Sequence, residues 1–127
     1  MMDDEVKMKK YDLEDRLINF SVLLIEIVNE MSGSKAGNHL SGQLIRSGSS
    51  VSLNYGEAQS AESKKDFIHK MKIILKELRE TFVCLKIIHQ SNLYDNQQKL
   101  MAAKNENNQL ISIFVKSIET AQKNVKS

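Results

Sequence analysis

From Ser63 to Gln90 the apolar residues Phe67, Met71, Ile74, Leu75, Leu78, Phe82 and Leu85 recur at steps of three and four. That period places them along one face of an α-helix, and a run this long predicts the central core helix of the fold. Ser63 precedes it as an N-cap, with Asp66 three residues on as the short-acid form of a capping box. No proline occurs anywhere in the 127 residues, and no tryptophan. Nothing in the chain imposes a kink or resembles a strand-and-turn repeat, so the class is all-α.

A chain of this length makes one domain that buries roughly two thirds of the surface its unfolded form exposes. Eighteen Lys and Arg against sixteen Asp and Glu leave a net charge of +2. That balance does not by itself imply nucleic acid, so any basic surface must come from clustering. A single cysteine, Cys84, excludes an internal disulfide. No signal-peptide pattern opens the chain, and the simplest compartment is the cytoplasm. The longest mostly apolar run, Leu17 to Val28, is interrupted by Asn19, Ser21 and Glu26. It falls short of the roughly 20 residues a bilayer span requires, so no membrane partner is expected.

Residues 1–11 carry no clear period and read as a flexible segment, with residues 12–122 forming a bundle and 123–127 a flexible tail. Asp12 is the expected cap of a first helix over about 12–31, with Leu13, Leu17, Phe20, Leu24, Ile27 and Met31 on one stripe. Ile18, Val22, Leu23 and Ile25 extend its apolar surface well beyond that stripe. A helix apolar over most of its circumference needs burial on two sides, so these four residues are assigned to a subunit interface. Shielding of the same face by the chain termini is the competing account. The second helix, about 38–60, is rich in glycine and serine, which weakens it by propensity. Yet Leu40, Leu44, Gly48, Val51, Tyr55 and Ala58 keep helical time, with small residues that admit a close neighbour. The third helix spans about 64–91. The fourth, about 96–122, starts at Asp95 and carries Leu100, Ala103, Asn107, Leu110, Phe114, Ile118 and Ala121. Asn107 is placed near a wet end of the bundle, because a buried amide needs partners. Short connections make consecutive helices antiparallel, giving an up-down-up-down four-helix bundle.

No recognisable catalytic spacing is present, and an enzyme is not expected. The histidines are His39, His69 and His89. A di-iron bundle needs paired Glu-x-x-His motifs, whereas Asp66-x-x-His69 stands alone, so no metal or other cofactor is expected. Neither a phosphate-binding glycine loop nor a nucleophile in catalytic context occurs. Two polar constellations remain. Gln43, Arg46, Ser47, Ser50, Asn54 and Glu57 share one side of the second helix and could meet Glu77 and Glu80 of the third. An Arg46–carboxylate pair there would be bidentate, in a structural or interface network. Lys65, Lys72, Lys76, Arg79 and Lys86 fall within about 80° of arc opposite the apolar stripe of the third helix. Such a row can follow phosphates, although it lacks interleaved aromatics, and an ordinary solvated face explains it more simply.

The combination Gln43-Leu44-x-Arg46-Ser47-x-x-Ser50, Asn54, Glu57, Ser63-Lys-Lys-Asp66-Phe67 and Glu77-x-x-Glu80 resembles a bacterial four-helix-bundle family. Its members are encoded in intervening sequences of large-subunit ribosomal RNA genes and are sometimes called ribosomal proteins. The similarity covers about Leu13 to Ala121, and the wording around Asn54-Tyr55-Gly56-Glu57-Ala58 looks like a branch common in Bacteroidetes-type bacteria. The resemblance implies a cytoplasmic homopentamer shaped as a ring or barrel. Similar proteins that accompany the reverse transcriptase of diversity-generating retroelements carry a strongly basic surface for nucleic acid and the enzyme. The near-neutral charge here departs from them, and Val51-Ser52 stands where many members have a proline. The family offers no catalytic residues to carry over. The expectation is a homo-oligomeric scaffold or adaptor acting on RNA or an RNA-handling protein, or else a protein-binding partner with no nucleic acid contact.

Overall fold

The computed structural model describes residues 2–126, with side-chain surroundings for 13–125. Four helices follow one another: α1 Met2–Glu30, α2 Lys35–Gln59, α3 Lys64–Gln90 and α4 Gln97–Lys126. Among the described residues there is no strand. α1 begins at Met2 instead of Asp12. Residues 2–11 contain neither Gly nor Pro, so helix nucleated by the packed stretch meets nothing that stops it. Of the flexible ends expected at 1–11 and 123–127, residues 1 and 127 and the side chains of 2–12 and 126 lie outside the described residues.

Local chemistry sets the other boundaries. Ser34, in extended backbone, accepts from the Gly37 amide and starts α2 three residues earlier than glycine content suggests. Ser63 accepts from the Asp66 amide at 3.0 Å, as its sequence position predicts. Asn96, not Asp95, caps α4, its Oδ1 accepting from the Lys99 amide at 3.0 Å. α3 ends in a left-handed Asn92 with φ 54°. The Leu93 amide then donates back to the Ile88 carbonyl and the Asn92 amide to that of His89. This is the hydrogen-bond pattern of a Schellman motif, and Leu93 adds its apolar contact with the core.

Cross-helix bonds fix the directions. Going up α1, Leu17 and Ser21 meet Ser52 while Ser21 also meets Gly48. α2 then meets α3 through Glu57–Lys70 and Arg46–Glu80. On the last side Arg16 pairs with Glu106 and Glu30 with Lys99. In each case one number rises as the other falls, so these neighbours are antiparallel. α1 packs on α2 and α4, α3 packs on the same two, and α1 lies diagonal to α3.

The core follows the periodic stripes. Leu17, Phe20, Leu24 and Ile27 of α1 meet Leu44, Val51 and Tyr55 of α2, Ile74, Leu78 and Leu85 of α3, and Leu100, Leu110 and Phe114 of α4. Tyr55 and Phe114 pack edge to face at 6.0 Å. Small size at Gly48 matters for the helix contact, since a Cβ there would overlap the Leu24 Cδ1 methyl. α1 and α2 can therefore approach until Ser21 and Ser52 bond across the seam at 2.7 Å. Asn107 is not at a wet end. It is fully buried about a third of the way along α4, donating Nδ2 to the Leu78 carbonyl at 2.9 Å, while its Oδ1 has no protein partner.

Candidate interaction surface

Lys65, Lys72, Lys76, Arg79 and Lys86 are all exposed on the outer side of α3. Their placement follows from period alone, because the apolar residues of α3 claim the opposite side. None of the five makes an ion pair among the described residues. Lys86 instead lies over the Phe82 ring, 5.3 Å from its centroid. The stripe is not purely polar, however. Val83 (55% exposed) and Ile87 (44%) sit within it.

Between α2 and α3 runs an open groove of about 630 Å³. Leu40, Leu75, Val83 and Ile87 give it apolar walls, Lys72, Lys76 and Arg79 bring positive charge to it, and Arg46 and Glu80 line it as an ion pair. Sequence reading found the cations and missed the groove. The signal available was Val83 and Ile87, two apolar residues placed off the core stripe and among the lysines.

The polar side of α2 divides into separate clusters. Arg46 reaches Glu77 Oε2 at 3.3 Å and Glu80 Oε2 at 3.0 Å. Its guanidinium thus spans two carboxylates instead of gripping one in a fork. The Glu80 hydrogen bond, then the charge of Glu77, raise the Arg46 pKa further. Gln43 lines the groove beside this cluster. One level inward, Ser47 donates to the Gln43 carbonyl at 3.0 Å, and Thr81 Oγ1 lies 2.8 Å from Ser47 Oγ, both residues buried. Ser50 and Asn54 bond to each other within α2, and Glu57 pairs with Lys70 at 3.5 Å. The expected network is therefore three separate groups along α2, only the first of which reaches Glu77 and Glu80.

On α1, Ile18, Val22 and Ile25 are 46%, 47% and 44% exposed. At spacings of four and three they form one stripe pointing away from the core. Leu23 does not share it, being partly buried against the core on the far side of the helix. Cys84 opens onto the groove, and burial raises its thiol pKa. His89 is half-buried with Nδ1 3.3 Å from Lys104 Nζ. No group of three or more His, Cys, Asp or Glu among the described residues is arranged to hold a metal. No helix among them is long and apolar enough to cross a membrane.

Comparison with known proteins agrees with the four-helix fold. No curated protein matches the chain. A solved structure that it resembles comes from Bacteroides thetaiotaomicron VPI-5482, a protein of unknown function from the S23 ribosomal protein family. The two are 26% identical with a TM-score of 0.76, over 83% of this chain and 96% of that one. The model of the 23S rRNA-intervening sequence protein family matches residues 9–116. The stretch so matched includes all of α2 and α3, and the chain belongs to the 23S rRNA-intervening sequence protein family.

Proposed function

We propose that this protein is a non-enzymatic cytoplasmic scaffold that self-associates, five copies to a ring, and meets RNA or an RNA-handling protein with the outer side of α3. The observation that carries the reading is the stripe Ile18, Val22 and Ile25, three β-branched residues nearly half exposed on one face. Exposed apolar residues scattered singly need no explanation, whereas an aligned row of this kind marks a contact surface. The exposed, unpaired cations of α3 support the RNA contact, since each phosphate they neutralise releases counterions.

Solution mass by light scattering, followed by titration with structured RNA at low salt, tests both halves. A mass of five chains and binding that weakens steeply with salt are expected. A monomer refutes the scaffold. Charge reversal at Lys65 and Lys86 should reduce RNA affinity, and unchanged affinity refutes the α3 contact. A second reading, in which the partner is a protein and no nucleic acid is bound, is favoured by one feature: Val83 and Ile87 interrupt the cations with apolar surface. Assembly without RNA binding selects it.

A further inference from the structure

We infer that the outer stripe of α1 in one copy seats in the α2–α3 groove of the next, with Glu14 and Asp15 of the first against Lys72 and Lys76 of the second. The inference rests on the self-association proposed above and names the two surfaces that would carry it.

Three observations converge on a second copy as the occupant. The first is shape and polarity, because Ile18, Val22 and Ile25 form an unpartnered apolar ridge and the α2–α3 groove offers apolar walls to receive it. The second is charge. Glu14 and Asp15 stand at the N-terminal end of the ridge, both exposed and neither in an ion pair among the described residues. Lys72 and Lys76 stand at the N-terminal end of the groove's α3 wall, equally unpaired. Both are antiparallel to α2, so α1 and α3 run in the same direction. A neighbour turned about an axis parallel to the bundle therefore brings acids to lysines and not to the other end.

The third observation is height. Leu24 packs against Gly48, and the adjacent Ser47 lies against Thr81. The stripe Ile18–Ile25 is thus about level with Ile74–Thr81 of α3, inside the Lys72–Ile87 span of the groove. Rotation without appreciable translation suffices to bring ridge to groove. Contacts of this kind join different faces of identical copies, and they close into a ring instead of climbing into a filament when no translation is required. In such an assembly Lys72 and Lys76 are neutralised by the neighbour and Arg79 borders the filled groove, leaving Lys65 and Lys86 open to RNA.

Two exposed positions separate the halves of the contact. Val22→Glu spoils the ridge and Val83→Glu the groove, with circular dichroism confirming that each variant stays helical. Each alone should fall to the 14.5 kDa of a single chain. Mixed in equal amounts at high concentration, they should give a species of two chains and no larger, since one intact ridge meets one intact groove. Lys72→Glu with Lys76→Glu should dissociate the assembly, and adding Glu14→Lys and Asp15→Lys to the same chain should restore it. The inference is overturned if either single variant keeps the wild-type mass, if the mixture stays monomeric, or if the charge-swapped chain does. A wild-type monomer removes the scaffold reading as well, whereas a wild-type multimer that the variants leave intact removes only this pairing.

Discussion

Replacing Asn107 by Leu should make the protein more stable, although it deletes a hydrogen bond. Asn107 is fully buried, with Nδ2 held by the Leu78 carbonyl and Oδ1 unpartnered. A buried acceptor without a donor costs about 1–3 kcal/mol, and a typical hydrogen bond contributes about 0.5–1.5 kcal/mol. Leu removes both. The Leu78 carbonyl is not orphaned, because it lies inside α3 and retains its helical amide partner. Leu has the same branching and number of side-chain heavy atoms, but its methyls are larger, and tight packing takes back up to about 1 kcal/mol. Burial of the added apolar surface at about 25 cal/mol/Å² offsets that. The net expectation is a gain of about 1 kcal/mol, seen as a higher urea midpoint at unchanged slope and fixed chain concentration. Asn107→Asp, with nearly the same shape, should lose about 3 kcal/mol or more, since it buries an unpaired charge and removes the donor to Leu78. A Leu variant less stable than wild type by about 1 kcal/mol would refute the reasoning. It would mean that Oδ1 is satisfied, for instance by an internal water.

Four further outcomes are expected. Asn92→Ala should cost about 1 kcal/mol in chemical denaturation while Asn92→Gly costs nothing, because at the left-handed φ of 54° Asn is tolerated through local hydrogen bonding of its short polar side chain and Gly has no Cβ to clash, whereas Ala has the clash and no such bond. Arg16→Ala should cost about 1 kcal/mol or more, reduced by salt, because Arg16 forks onto Glu106 at 3.0 and 2.7 Å and is the best-formed polar tie between α1 and α4. The Lys99 and Tyr94 hydrogen bonds hold the Glu30 carboxyl below its ordinary 4.5. Its folded pKa is depressed, so its contribution is present above that pH and lost as pH falls through the folded value. Glu30→Gln should lower the melting temperature through the neutral region and flatten the acid limb, so that the two profiles converge as pH falls below 4.5. Finally, Cys84 should react with a disulfide reagent at pH 7 far more slowly than a free thiol, because burial raises its pKa, and urea should restore the ordinary rate.

Legibility was uneven, and the reason is physical. Burial on a helix has a period of 3.6, so Phe20, Leu44, Ile74 and Phe114 declare their inward faces from spacing alone, and the lysines of α3 declare the outward one. Capping is equally local, which is why Ser63 was readable. Helix ends were not where the limiting residue is weak: Ser34 outcompeted a glycine-rich context, and nothing in 2–11 stops α1. Pairing across helices depends on register, which no period encodes. Residue faces alone let Arg46 be set opposite Glu77 and Glu80, but only the packed bundle shows its guanidinium shared between the two, closes the Ser21–Ser52 seam over Gly48, and sets Asn107 inside, because each requires the axial offset between two helices. The groove is of the same kind, since its walls are lined by residues of two helices 25 or more positions apart. The sequence by itself determined four amphipathic helices and the faces they hide. The tertiary structure decided which of the remaining faces lie side by side and at what height, and the candidate contacts depend on that choice.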